Sequence, residues 1–386
     1  MKRIGILTGG GDVPGLNVVI KTVADHAFAN GQEVLGIRNG WKGIVHVDPD
    51  DPVSVQRYTA SLNSRDVRPI DRSGGTILHS ARTNPGDMRE KDLPAGFDAT
   101  DYPQNDKGRR DLTPVVMRNL EKLGVDALVV TGGDDTLGYA AKLHAAGFPI
   151  VGVPKTMDND VRGTEYCLGF STAITRSVDL IHQVRTPAGS HERIAIIELF
   201  GRNSGATALY VGMLSAADRV LLSEVPFEPE KAADLLAADQ DASPSDYAVC
   251  VISEGAYPKA GAPFEGGEED AYGHKKLGGI GEWFAKQVRA HTGRETLQQK
   301  LAYLMRSGSP DSLDRMVGRA YATLAYDLLK NDRSGHMTAL VDGQYRAVPL
   351  EVVRGGARPC NIGDYYDGAE YRVRMEKVEG RSIMLP

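Results

Sequence analysis

The chain has 386 residues, 41% of them hydrophobic and 25% charged, with a formal net charge of -6. That length accommodates two packed domains, and Lys and Arg dispersed among acids leave no basic face for nucleic acid or a membrane surface. The three cysteines, Cys167, Cys250 and Cys360, have neither CxxC nor Cys/His metal spacing, which argues against a disulfide framework or structural zinc. The first apolar run breaks into glycine too early for a secretory segment, and no stretch approaches transmembrane length. A cytoplasmic protein with small-molecule partners is expected.

In chain order, Arg3–Thr8 reads as a strand, and Leu16, Val19, Ile20 and Val23 then mark one apolar helix face. Residues 48–71 are polar and read as an exposed excursion. A strand at 127–131 precedes a helix from about Thr136, and a further strand is expected at 148–153. Ile194–Leu199 and a helix from about Ser204 repeat the unit. After a short connection at 239–246 comes a strand at 247–253, then a second polar excursion at 258–276. Strands alternating with helices predict an α/β fold of mainly parallel sheets, with ligands at the carboxyl ends of the strands.

Three loops fall at such ends. Thr8-Gly9-Gly10-Gly11-Asp12-Val13-Pro14-Gly15 can present backbone N–H groups to phosphate oxygens, the favoured reading over a plain tight turn. It is not the dinucleotide fingerprint, because Pro14 stands where a third glycine is needed, and the Walker Gly-Lys-Ser/Thr is missing. Thr131-Gly132-Gly133-Asp134-Asp135-Thr136 pairs a phosphate loop with two acids that either hold Mg²⁺ or cap the helix. Pro154-Lys155-Thr156-Met157-Asp158-Asn159-Asp160 brings together a cation, a hydroxyl and acids, the set needed to take a proton from an attacking hydroxyl and to balance charge on a transferred phosphoryl group, although taken alone it reads first as an ordinary acidic turn.

In this order, TGGGDVPGLN, GGTILHSARTNPGD, GGDDT, PKTMDND, GFSTAI, SHERI, FGRNSG, SEVPF and RSGSPDSLDR resemble the phosphofructokinase family over about residues 1 to 350. The resemblance implies two Rossmann-like three-layer domains with the active site between them. Residues 1–168 with 306–355 would bind the phosphate donor, and residues 169–305 with 356–386 the sugar phosphate. It also implies a homodimer or homotetramer with a site shared across an interface.

By the same resemblance, Asp158 is the general base acting on the 1-hydroxyl of fructose 6-phosphate. Thr156 positions the acceptor, Asp160 supports the loop and metal region, and Asp134 is the Mg²⁺-associated acid. Gly11 and Arg82 meet the donor phosphates, and Arg202, after Phe200 and Gly201, lies near the transferring group. Arg193 and Arg306 would grip the 6-phosphate and Glu224 the sugar hydroxyls. Two positions depart from the family pattern: Tyr303 replaces a common His, and Leu297 replaces a second phosphate-binding Arg, for which Lys300 could substitute.

Asp135 and Lys155 stand where ATP-using bacterial members have glycine, and both resemble the pyrophosphate-dependent branch. Asp135 adds bulk and negative charge where a nucleotide's inner phosphate would lie, while Lys155 balances a compact pyrophosphate. Pyrophosphate is therefore the expected donor and fructose 6-phosphate the expected acceptor. ATP as donor, sedoheptulose 7-phosphate as acceptor and an inactive sugar-phosphate sensor are the alternatives. Lys21 and Asp25, in place of effector-binding arginines, predict weak nucleotide allostery.

Overall fold

The computed structural model describes residues 1–266, 276–363, 365–376 and 378–380. The polar excursion expected at 258–276 therefore lies partly outside the described residues. Runs that are buried along their whole length, such as Ala127–Gly132 and Ile194–Leu199, form strands covered on both faces. They belong to two main sheets.

The first sheet has seven strands in the order Gln344–Pro349, His336–Val341, Ile150–Pro154, Ala127–Gly132, Arg3–Thr8, Glu33–Ile37 and Thr59–Leu62. The five inner strands run parallel, and an antiparallel strand closes each edge. The second sheet has four parallel strands in the order Thr296–Lys300, Ile194–Leu199, Ala248–Ser253 and Arg219–Leu221. The fold is thus α/β with mainly parallel sheets, as the alternation predicts.

Helix Phe170–Ser190 carries the chain from the first sheet to the second, and Ser312–Lys330 carries it back. The starts of these two helices are tied at Asp314, a fully buried acid. Its carboxylate accepts hydrogen bonds from the Tyr166 hydroxyl, the Gly169 and Thr172 N–H groups and the Thr172 hydroxyl. Such saturation is what an acid taken out of water requires. Helix Leu16–Ala29 packs against Ser312–Lys330 and buries Leu16, Val19, Ile20 and Val23, the face read from the sequence.

Two expectations need adjusting. Residues 48–71 contain helix Pro52–Tyr58 and the edge strand Thr59–Leu62, which pairs antiparallel with Glu33–Ile37. Polar edge strands carry too little apolar alternation to be recognised by pattern. The helix expected from about Thr136 begins at Asp134, so both acids occupy its first turn, where negative charge suits the helix dipole. Among the described residues no helix is long and apolar enough to cross a membrane.

Candidate functional site

The carboxyl ends of strands Arg3–Thr8, Ala127–Gly132 and Ile150–Pro154 lie side by side, so the three sequence-read loops converge. The Gly9 N–H donates to the Thr131 carbonyl (3.0 Å) and the Lys155 N–H to the Gly132 carbonyl (2.9 Å), joining the loops in a row. The Gly10 N–H reaches the Ala81 carbonyl (3.1 Å) and the Ser80 hydroxyl donates to the Gly10 carbonyl (2.6 Å), which draws the Arg82 segment alongside.

Across from this row is the loop that follows Ile194–Leu199. Gly201 has φ 145°, and a Cβ on it would meet Ser253 Oγ at 2.5 Å and the Ser204 carbonyl at 2.8 Å, so only glycine lets the loop turn back here. The turn sends Phe200 and Arg202 into a cavity of about 670 Å³ between the two loop sets. Gly11, Arg82, Asp134, Asp135, Lys155, Thr156, Asp158, Asp160, Lys300, Tyr303 and Arg306 line the same cavity.

At the glycine end, Lys155 is buried with its ammonium 3.1 Å from the Cβ position of Gly10. Burial, reinforced by the Arg306 and Arg82 charges, pulls it down to about 8. Arg306 stands over the Tyr303 ring at 4.6 Å and the Phe200 ring at 5.7 Å, with its Nε 3.4 Å from an Asp12 carboxylate oxygen. Stacking of this kind holds a planar guanidinium in place without consuming its donors.

At the centre, Asp158 is pushed up to about 7 by desolvation and by the neighbouring Glu254, against the pull of Lys155, Arg202 and Arg306. Its Oδ1 is buried with no hydrogen-bond partner in the protein, while the residue itself lines the cavity. The Asp158 N–H donates to Thr156 Oγ1 at 3.2 Å, so the hydroxyl also shapes the turn. Asp160 is raised well above the usual carboxylate range by burial, then by Asp158 and Asp134.

That crowding of carboxylates is what a divalent cation would offset. Among the described residues no group of three or more His, Cys, Asp or Glu is arranged to hold a metal by itself. Mg²⁺ keeps several waters and binds through one or two carboxylates plus substrate phosphate oxygens. Asp134 and Asp160 fit that part.

Some expected residues lie elsewhere. Arg193 precedes Ile194–Leu199, whereas Phe200 follows it, so the two are separated by a six-residue strand, about 20 Å at ordinary strand rise. Glu224 accepts N–H bonds from Gly205 (2.8 and 3.0 Å) and Cys360 (3.0 Å) and does not line the cavity, nor do Gly201 and Leu297. Leu297 sits half-buried in a strand, in register with Ala195.

Two acids were not singled out from the sequence. Glu254 lines the cavity and is pushed up to about 7 by burial, with Glu198 adding to the rise. Its Ser-Glu-Gly turn ends the strand Ala248–Ser253, and position at a strand end was the one signal available. Glu198 is fully buried within Ile194–Leu199 and pairs with Lys300 at 2.6 Å while accepting the Gly279 and Gly281 N–H groups.

Known proteins repeat this arrangement of chain. The pyrophosphate–fructose 6-phosphate 1-phosphotransferase of Dictyoglomus thermophilum is 36% identical over 366 residues, covering 94% of this chain and 96% of that one. The ATP-dependent 6-phosphofructokinase of Chloroflexus aggregans is 35% identical over 349 residues, 90% of each chain. The crystal structure of the pyrophosphate-dependent phosphofructokinase from Marinobacter aquaeolei shares the fold, with a TM-score of 0.74 at 18% identity over 97% of this chain and 89% of that one. With the family model for phosphofructokinase matching residues 3–329, through every loop that lines the cavity up to Arg306, the chain belongs to the phosphofructokinase family.

Proposed function

We propose that this protein is a pyrophosphate-dependent 6-phosphofructokinase, which transfers a phosphoryl group reversibly between pyrophosphate and the 1-hydroxyl of fructose 6-phosphate. The observation that carries the donor assignment is that Asp135 and the buried Lys155 both line the glycine-loop end of the cavity. A carboxylate there opposes a third phosphate, and a desolvated ammonium beside Gly10 matches a compact dianionic phosphate and the phosphate that leaves. The relatives themselves carry both donor names at nearly equal identity.

In this reading the Asp158 carboxylate accepts the proton of the acceptor hydroxyl. The oxygen so freed forms the new bond to the terminal phosphorus of pyrophosphate as the bridging P–O bond breaks, and inorganic phosphate departs. Gly11 and Arg82 hold the donor, Lys155 balances the leaving phosphate, and Arg202 meets charge on the phosphoryl group in flight. Bound Mg²⁺, held by Asp134 and Asp160, would supply further neutralisation of the phosphate oxygens. Thr156 and Glu254 orient the acceptor.

The sugar end is completed by Arg306, by Lys300 and by Arg193 of a second subunit, since Arg193 is too far from its own cavity to serve it. This makes the working unit a homo-oligomer. Residues 1–168 with 306–355 then form the donor side and 169–305 with 356–386 the acceptor side.

Phosphorus NMR tests the reading. Incubation with Mg²⁺, pyrophosphate and fructose 6-phosphate should consume the pyrophosphate resonance and raise those of phosphate and a sugar 1-phosphate in equal amounts. No consumption of pyrophosphate contradicts it.

A further inference from the structure

The segment that follows the last strand of the first sheet lies beyond the residues matched by the family model, yet it grips the loop that carries Asp158. The Arg358 N–H donates to the Asp160 carbonyl at 2.6 Å, and Arg358 Nη2 donates to the Asn159 carbonyl at 3.0 Å. Two residues on, the Cys360 N–H donates to the Glu224 carboxylate at 3.0 Å. That carboxylate also accepts the Gly205 N–H, at the end of the loop bearing Arg202. Residues 358–360 are therefore fastened to both loops that face each other across the cavity.

The turn needs such a hold. Asn159 has φ 53°, a left-handed conformation that Asn enters more readily than other non-glycine residues but still at some cost in free energy. Its side chain is fixed from one direction, where Nδ2 donates to the Glu165 carbonyl (2.9 Å) and Oδ1 accepts the Cys167 N–H (2.8 Å). Its carbonyl is fixed from the other by Arg358. With the Asn159 side chain and carbonyl both held, the neighbouring Asp158 is kept in the cavity wall, its buried Oδ1 without a hydrogen-bond partner in the protein.

We propose that Arg358 is a positioning residue for phosphoryl transfer: its guanidinium clamps the Asn159 carbonyl and so fixes the aim of the Asp158 carboxylate. The proposal rests on the reading of Asp158 as the base. It also makes residues 358–360 a strut between the Asp158 loop and the Arg202 loop.

A double-mutant cycle tests it, using the donor that supports turnover. Loss of a charged hydrogen bond to a strained turn should lower kcat of Arg358→Ala by about 10-fold or more, with the acceptor KM changed by less than about threefold. Arg358→Lys, which keeps the charge and one donor, should recover part of that loss. In an Asp158→Asn background the further cost of Arg358→Ala should shrink to less than about threefold, because the group it aims is gone. The same loss in both backgrounds, or a kcat for Arg358→Ala within twofold of the parent, overturns the proposal. Should the alanine variant not fold, Arg358→Met, which keeps the length of the side chain and removes its donors, runs the same cycle under the same criteria. Near-normal turnover of Asp158→Asn alone would instead remove the base assignment, and is read from a separate arm.

Discussion

The Arg306 guanidinium fills the space that a side chain at Gly11 would need: a Cβ on Gly11 would meet Arg306 Nη1 at 2.6 Å. The obstructing atom is the end of a flexible side chain, so Gly11→Ala should fold and displace Arg306 from its place over Tyr303 and Phe200. Loss of one positioned cation predicts a fall in kcat/KM of about 10-fold or more, with a melting temperature close to that of the parent. Steady-state kinetics and thermal melting of the variant check both parts.

Asp158→Asn should lower kcat by about 10²- to 10⁴-fold, the usual contribution of a placed base. It should also stabilise the protein at neutral pH. The Asp158 carboxyl is raised to about 7 by burial, so the folded state holds its proton where the unfolded chain has lost it. That stabilising contribution is intact below the unfolded value near 3.8 and is lost as pH rises through about 7. The amide has no such loss, and the melting temperature of the variant should overtake that of the parent between pH 4 and 8.

The pH profile of kcat/KM follows from the same groups. Asp158 must be ionised to act, so activity should fall on the acid side with a midpoint near 7. Lys155, pulled down to about 8, must stay charged, so activity should also fall on the alkaline side. Lys155→Arg should carry the alkaline limb upward and leave the acid limb in place, when rates are compared at a fixed concentration of the magnesium pyrophosphate complex.

Lys300 and Glu198 separate stability from acceptor binding. Lys300→Met leaves the fully buried Glu198 without its cation, which should cost about 2 kcal/mol or more. It should also raise the acceptor KM. Pairing it with Glu198→Gln should restore the melting temperature and leave the raised KM, as denaturant unfolding and acceptor titration would record.

Legibility in the sequence followed locality. Lys155, Thr156, Asp158 and Asp160 fall within one loop after one strand, so a single contiguous motif carried the resemblance that singles them out, and the cavity brings them together with Gly11 and Asp134. Glu254 and Glu198 were hidden because their partners, Lys300 and Arg202, come from other segments, and a lone acid in an apolar strand gives no local sign of a cation beside it. Glu224 is a sugar contact only by the family resemblance, and its carboxylate accepts the Gly205 and Cys360 N–H groups outside the cavity lining. Arg358 acts through backbone carbonyls, which any sequence possesses, so no residue pattern could announce it.

Initial rates of fructose 6-phosphate phosphorylation, measured side by side with Mg²⁺ and either pyrophosphate or ATP at matched concentrations, test the central claim most directly. The Asp135 and Lys155 argument predicts turnover with pyrophosphate and at most a small fraction of that rate with ATP. Faster turnover with ATP would contradict the donor assignment, while leaving the family and the Asp158 base in place.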